Sequence, residues 1–461
     1  MKRQAMKSGS PVSRNDIIKL QIEDLNHEGE GVGRYKGFTV FAPGAAPGDE
    51  IIARVISVQK NYARALLQDI VIPSPFRVTP SCPHYTECGG CQLQHISYPE
   101  QLRLKQKMVQ DAVTRIAGLD VPALPIIGAD NPWQYRNKAQ LPVGWEGGKV
   151  ITGFYARRTH RIVNLQSCRI QHPANDLAAA TVRRIIQELN IPIYNESRHT
   201  GLIRHILART SFTTGEILLV LITNGHTFPW RREFVKLARN NLPNLAGIVQ
   251  NINTRRGNVI LGTEEKTLWG KPFIIERIGS LSFRVSSRSF FQVNPGQTEK
   301  LYAKAKEYAA LTGKETVFDL YCGTGTISLF LADRAAKVVG VEITAAAVED
   351  ARANAALNAI TNAEFHAGPA EKIVPALFRQ GYHADVVVVD PPRKGCDQTL
   401  LQTITAMQPA RLVYISCNPA TLARDLAFLY ANGYRLGPVQ PVDMFPWTRH
   451  VECVTWIQKK K

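Results

Sequence analysis

Long apolar runs are missing from this chain of 461 residues, and none approaches the ~20 needed to cross a bilayer as a helix. The opening Met1-Lys-Arg-Gln-Ala is charged with no apolar stretch behind it, so no secretory signal is read. Cysteine is scarce: eight residues, unevenly placed, argue against a disulfide framework and for metal-binding or catalytic uses in a reducing compartment. Acidic side chains are under-represented, with 38 Asp plus Glu against 56 Lys plus Arg, and a net charge of +18 points to a polyanionic partner, most often nucleic acid. No internal repeat is present. The expectation is a cytoplasmic monomer of three domains, with no membrane association and no obligate protein partner.

What is there divides into three patterns. From Asp16 to Ile72 short alternating strands such as Ile18-Lys-Leu20-Gln-Ile22 are separated by Gly and Pro turns, which predicts a small OB-type β-barrel. Pro73, Pro75 and Pro80 punctuate a linker, and a helix is predicted from Pro99 to Ile116. Between Trp133 and Leu281, strands with interleaved basic residues and one helix near 174–189 read as an α+β middle domain. From Ser287 onward strands alternate with helices, the pattern of a βαβ sheet. The predicted domains are 12–72, 73–286 and 287–461.

Chemistry concentrates at the ends of the last domain's strands. Asp319-Leu-Tyr-Cys-Gly323-Thr-Gly325 ends one strand and opens a helix, and Glu342 ends the next strand about twenty residues on, where an acid can accept ribose hydroxyls. Ser328 stands where a dinucleotide fingerprint wants its third glycine, so the pair suits S-adenosylmethionine, which has no pyrophosphate to cradle. Asp390-Pro-Pro-Arg393 ends the run Val386 to Val389, and its two fixed rings present the carboxylate rather than pair it into a ladder. Arg393, where amino-group methyltransferases tend to carry a stacking aromatic, argues against an exocyclic nitrogen target. Cys417 follows Leu412-Val-Tyr-Ile415 and offers a thiolate, and a final antiparallel strand would begin at the same rim with Glu452. A thiol, a base and a methyl donor are the parts needed to methylate C5 of a pyrimidine. Upstream, Cys82, Cys88, Cys91 and the distant Cys168 supply four thiolates that suit zinc or a 4Fe–4S cluster by count, zinc being the commoner structural site. Cys322, Cys396 and Cys453 read as packing residues, and His95 as a polar residue at a helix approach.

Asp-Leu-Tyr-Cys-Gly-Thr-Gly, Asp-Pro-Pro-Arg-Lys-Gly, Ser-Cys-Asn-Pro-Ala-Thr-Leu-Ala-Arg-Asp and His-Val-Glu-Cys-Val resemble the RNA uracil-C5 methyltransferases, most nearly their 23S ribosomal RNA type. The resemblance spans nearly the whole chain. It implies a TRAM domain over 12–72, a middle domain carrying a 4Fe–4S cluster on Cys82, Cys88, Cys91 and Cys168, and a Rossmann-like class I methyltransferase domain. It further implies Cys417 as nucleophile, Glu452 as proton-abstracting base, and Gln292, Tyr321, Thr326, Glu342 and Asp390 as contacts to S-adenosylmethionine. The chain departs from the family where Pro369 follows Gly368, leaving Glu371 as a replacement carboxylate, and at Trp447 and Arg449. For RNA, the basic strands at Arg157 to Arg161 and Arg198 to Arg209 are phosphate candidates, and Phe290 or Phe291 a stacking platform. The substrate expected is RNA, 23S rRNA first and tRNA second. A cytosine-C5 methyltransferase is the enzyme rival, disfavoured by Pro392 where those enzymes carry cysteine, and a non-catalytic RNA-binding protein is the rival from another class.

Overall fold

The computed structural model describes residues 10–460; the charged opening Met1-Lys-Arg-Gln-Ala lies outside the described residues. The first unit is a closed barrel of β1 (Ile17–Leu25), β2 (Glu30–Tyr35), β3 (Phe38–Pro43), β4 (Glu50–Val58) and β5 (Tyr62–Ile72), in the order β1-β2-β3-β5-β4. Alternation along β1 sends Ile18, Leu20 and Ile22 inward onto Val40, Ile51 and Val55, while Lys19 and Gln21 face water. Closure leaves the barrel with no free strand edge.

A helix α1 (Tyr98–Ala112) follows, and the helix expected to Ile116 instead changes to a π-helical turn over Val113–Ala117. Then come β6 (Lys138–Glu146), β7 (Lys149–Tyr155), β8 (Ile162–Asn164), α2 (Pro173–Glu188), β9 (Ile203–Thr210), β10 (Ile217–Thr223), α3 (Arg231–Asn241), β11 (Leu245–Ile252) and β12 (Glu264–Gly270). They form a seven-stranded sheet in the order β12-β11-β10-β9-β6-β7-β8. Helices α2 and α3 cover one face through Val182, Ile185 and Phe234, packed on Ile206 and Leu219. Leu207, Leu218 and Val220 on the other face join the core of the C-terminal unit, so β9 and β10 are buried on both sides, and β10 reads as a continuous apolar run.

The hairpin β13 (Phe273–Ile278) and β14 (Leu281–Ser286) packs into that C-terminal core through Phe283 and Val285. Its Ser282 and Arg284 amides donate to the side chains of Asn358 and Asn354, each at 2.8 Å. We therefore propose a domain boundary before Phe273 in place of Ser287; periodicity does not show which core a hairpin joins.

The C-terminal unit contains α4 (Pro295–Ala309), β15 (Thr316–Leu320), α5 (Thr326–Ala332), β16 (Lys337–Glu342), α6 (Ala345–Leu357), β17 (Ala363–Ala367), α7 (Ala370–Arg379), β18 (Val386–Val389), α8 (Gln398–Met407), β19 (Arg411–Ser416), α9 (Pro419–Ala431), β20 (Tyr434–Leu436), β21 (Gln440–Val442) and β22 (Glu452–Lys459). The strand order is β17-β16-β15-β18-β19-β22-β20, with β21 also on β22. Strands β15 to β19 run parallel and β22 is antiparallel to β19, so the carboxyl ends of the former and the start of β22 share one rim.

Asp443, just after β21, fastens this rim to the rest of the chain. The carboxylate is fully buried; Lys105 of α1 donates to Oδ1 at 2.6 Å and the Tyr98 hydroxyl to Oδ2 at 2.9 Å. The side-chain amide of Gln297 in α4 reaches the Asp443 carbonyl at 3.1 Å. Removing one partner of a buried ion pair strands the other charge in a medium that solvates it poorly. Lys105→Met should lower unfolding free energy by about 3–5 kcal/mol, and Lys105→Met with Asp443→Leu should recover much of it. Thermal and urea melts of the two variants check this.

Candidate active site

The nucleophile candidate is positioned by a strand-to-helix turn. Cys417 lies between Ser416, the last residue of β19, and Asn418, whose side chain accepts from the Ala420 amide as the N-cap of α9. Pro419 at the first helical position has no amide hydrogen to leave unpaired there. The Asp390-Pro-Pro-Arg393 exit is clamped onto this turn: the Asn418 side-chain amide and the Thr421 hydroxyl both donate to the Arg393 carbonyl, at 3.0 and 3.3 Å. Beneath them the buried Asp425 carboxylate accepts from the Tyr414 hydroxyl at 2.6 Å and the Cys396 amide at 2.9 Å.

Ser416 pairs with Cys453 across the β19–β22 ladder, so Cys417 and Glu452 stand one residue beyond that rung on neighbouring strands. Glu452 is 4 % exposed. Burial, and then the charge of Asp390, push its carboxyl well above the usual range, against the pull of Arg393. Desolvation pushes Asp390 up to about 7. The Cys417 thiol goes up to about 11, from burial first and then from the charges of Glu452 and Asp390, with Arg393 pulling the other way. These mutual effects put the thiol, two carboxyls and one guanidinium in a single electrostatic group. Arg393, read in the sequence only as an argument about the target atom, is the cation of that group, and His450 lies 3.4 Å from its guanidinium.

The cofactor loop adjoins this group. Tyr321, Gly323 and Gly325 have φ of 69°, 55° and 78°, a left-handed path that turns the chain sharply between β15 and α5. A Cβ at Gly323 would meet nothing within 4 Å, so this turn faces open space. Glu342 accepts from the Gly323 amide at 3.2 Å and the Thr344 amide at 2.8 Å, which fixes the carboxylate at the end of β16. Asp319 is buried and held by Ser328 at 2.5 Å, yet its Oδ1 has no partner. An unsatisfied acceptor and a fixed second carboxylate beside open space suit a ligand with an ammonium group and a ribose, as S-adenosylmethionine has. Thr326 bonds the Tyr302 hydroxyl at 3.0 Å, and Gln292 is buried, its carbonyl accepting from the Asn137 side chain at 3.1 Å. Glu371 lies in the first turn of α7, and the Tyr321 phenol is raised by burial first, with lesser pushes from Cys396 and Glu371.

Cys82, Cys88, Cys91 and Cys168 all line one cavity of about 190 Å³, although among the described residues no three Cys, His, Asp or Glu side chains converge as ligands of one ion. Gly90 donates its amide to Cys88 Sγ at 3.4 Å. His95 is buried, bonded to the Tyr85 hydroxyl at 2.6 Å, and pushed down to about 4 by burial. Cys322, Cys396 and Cys453 are buried in the apolar cores.

Two expectations need correction. Phe291 is buried in the core, whereas Phe290 is 71 % exposed, so only Phe290 is free to stack. Arg204 and Arg209 are buried and donate to backbone carbonyls, Arg204 to Asn253 and Arg255 at 2.7 Å each; neither guanidinium lies on an open phosphate-binding surface. Trp447 and Arg449 serve in packing contacts: Trp447 stacks on Trp133 at 4.1 Å, and Arg449 pairs with Glu28 of the barrel.

A family model, tRNA (Uracil-5-)-methyltransferase, matches residues 97–460, and a TRAM domain model matches residues 11–67. The chain belongs to the tRNA (uracil-5-)-methyltransferase family. As a member it is an S-adenosylmethionine-dependent RNA methyltransferase, and the closed barrel is its TRAM domain. It is 50 % identical over 455 residues to an uncharacterized RNA methyltransferase of Halalkalibacterium halodurans, covering 98 % of this chain and 99 % of that one. An uncharacterized RNA methyltransferase of Clostridium tetani is 49 % identical over 449 residues, covering 97 % and 98 %. Among solved structures, the Pyrococcus abyssi tRNA (uracil-54, C5)-methyltransferase in complex with S-adenosyl-L-homocysteine superposes with a TM-score of 0.76 at 28 % identity, covering 95 % of this chain and all of that one.

Because Arg393 is the one cation that pulls the Cys417 thiol down, beside a backbone hydrogen bond, Arg393→Ala should move it further up. Only the thiolate is alkylated, so labelling of Cys417 by iodoacetamide rises with pH, and the variant's whole profile should lie at higher pH than the wild type's. Superimposable profiles would remove Arg393 from the thiol's environment.

Proposed function

We propose that the protein transfers a methyl group from S-adenosylmethionine to C5 of a uridine in RNA, with 23S rRNA the leading substrate. The observation that carries the reading is Cys417 and Glu452 on neighbouring strands one residue beyond a shared rung, with Asp390 and Arg393 beside them. The Cys417 thiolate adds to C6 of the uracil, which makes C5 nucleophilic. S-adenosylmethionine, held by Gln292, Tyr321, Thr326, Glu342 and Asp390, supplies the methyl group. Glu452 then takes the C5 proton, acidified by the neighbouring carbonyl, and the Sγ–C6 bond breaks to release product. Burial makes Glu452 a stronger base than a carboxylate in water, which suits a carbon acid. tRNA is a second reading, supported by the family model and by the 28 % identical archaeal tRNA enzyme.

The four cysteines are proposed to hold a 4Fe–4S cluster, with zinc as the alternative. The support is that all four thiols line one cavity, and four thiolates suit either centre by count. The cluster's place here is structural: Gln92, next to Cys91, donates its amide to the Trp447 carbonyl at 3.0 Å and so reaches the loop before Glu452.

Cys417→Ser should abolish methylation while RNA affinity changes little, because the variant loses a bond made only during reaction. Glu452→Gln should accumulate protein–RNA adduct bearing one labelled methyl per chain, resolved by gel shift. Mass-mapping of uridines methylated by the wild type in 23S rRNA and tRNA separates the two substrates. Protein purified without oxygen should contain iron and absorb broadly in the visible, and Cys91→Ser should lose both; stoichiometric zinc without iron would assign the site to zinc.

A further inference from the structure

A second hollow lies away from the catalytic rim and the cysteine cavity. It has a volume of about 840 Å³ and is bounded by β6, β7, β9 and the segments around Tyr194 and Val259. Its wall carries aromatic faces: Tyr155 and His160 are stacked at 5.2 Å and 24°, and the Arg204 guanidinium lies 4.5 Å over the Tyr194 ring. At its floor is His205, 9 % exposed, whose Nδ1 has no hydrogen-bond partner. Arg204, also at the floor and 5 % exposed, has an unpartnered Nε. Buried polar atoms without partners cost stability, and the folded chain tolerates two in one place here.

We infer that this hollow takes one unstacked nucleobase of the RNA substrate, a recognition subsite separate from the uracil that is methylated. The inference rests on the proposed RNA substrate. Stacking faces with hydrogen-bonding groups at depth are what a splayed-out base requires. A phosphate is the poorer occupant, because the Glu196 carboxylate lies on the same wall, bonded to His160 at 2.9 Å. A base instead offers ring and exocyclic N–H groups to that acid and to His205. Burial pushes His205 down to about 4, so its ring is neutral, presenting one donor and one acceptor.

Register ties the strand that floors the hollow to the C-terminal unit. His205 and Arg209 face the same side of β9, about 13 Å apart along the strand. Arg209 donates to the Ser289 carbonyl, immediately before the exposed Phe290. Leu207, between them, packs into the core shared with the C-terminal unit.

The test uses the full-length protein and two in vitro transcripts, 23S rRNA and tRNA, each also made with 4-thiouridine. Photocrosslinking should attach nucleotide to peptides containing Tyr155 or His160. Tyr155→Ala and His160→Ala, whose side chains lie at the mouth, should weaken binding of the preferred transcript about tenfold, the size of one lost stacking contact. They should raise KM for RNA with kcat little changed. A scan of single abasic positions should find one, other than the methylated uridine, that costs affinity with wild type and costs nothing further with Tyr155→Ala. Unchanged thermal melts keep a folding defect apart from these effects. Wild-type binding with no such position, or no binding of either transcript, overturns the subsite. RNA bound through the subsite but methylated on another base, or not at all, would instead overturn the uracil-C5 reading and leave the subsite standing.

Discussion

The buried carboxylate of Asp443 is the constraint on which the arrangement of this protein depends. Its two oxygens are satisfied by Lys105 and Tyr98, both on α1, and its carbonyl by Gln297 on α4. A charge at such depth persists only when its partners are held in place, so the pair makes three distant stretches of chain interdependent. The stretch carrying Asp443 continues through Phe445 and Trp447 to Glu452. The catalytic base candidate thus inherits its position from an ion pair made by a helix more than three hundred residues earlier in the chain.

That connecting loop is held on every side. Trp447 has φ of 67°, an uncommon conformation for a bulky residue, and persists because its contacts over-determine it. Its amide donates to Gln101, its carbonyl accepts from the Gln92 and Leu93 amides, and its indole donates to the Pro132 carbonyl at 2.8 Å. Arg449 adds an ion pair to Glu28 in the TRAM barrel. Barrel, cysteine segment and α1 therefore meet on one loop, which gives the segment next to the cysteines a structural purpose without any role in the chemistry.

At the rim itself, stability and reactivity pull in opposite directions. Desolvation raises Asp319 and Asp390 to about 7 and raises Glu452 well above the usual carboxylate range. Groups with folded values above their unfolded ones contribute most in acid, and that contribution is lost as pH rises through the folded values, near 7 for the two aspartates. The chain thus keeps several acids where ionisation is costly. Arg393 is the cation that offsets this for Glu452 and Cys417, and the clamp of Asn418 and Thr421 on its carbonyl keeps it there.

Sequence alone determined the strand-end motifs, because Asp-Pro-Pro, Gly-x-Gly and Cys-Asn-Pro are local devices: they end a strand, turn the backbone or cap a helix wherever they stand. It also determined the barrel, since alternation at Ile18, Leu20 and Ile22 is a period-two signal, and the grouping of three cysteines about two adjacent glycines, whose cavity Cys168 joins only in the fold. What folding decided was which of those residues share an environment. The pairing of Phe290 with water and Phe291 with the core turns on one alternation of direction that no pattern in Ser-Phe-Phe-Gln reveals. Arg204 and Arg209 look like surface charges in a basic strand, and only the sheet's second face shows them turned inward onto carbonyls. The Lys105–Asp443 pair spans 338 residues of sequence, and pairing at that separation has no local signature, because it is selected by the burial that both charges undergo together.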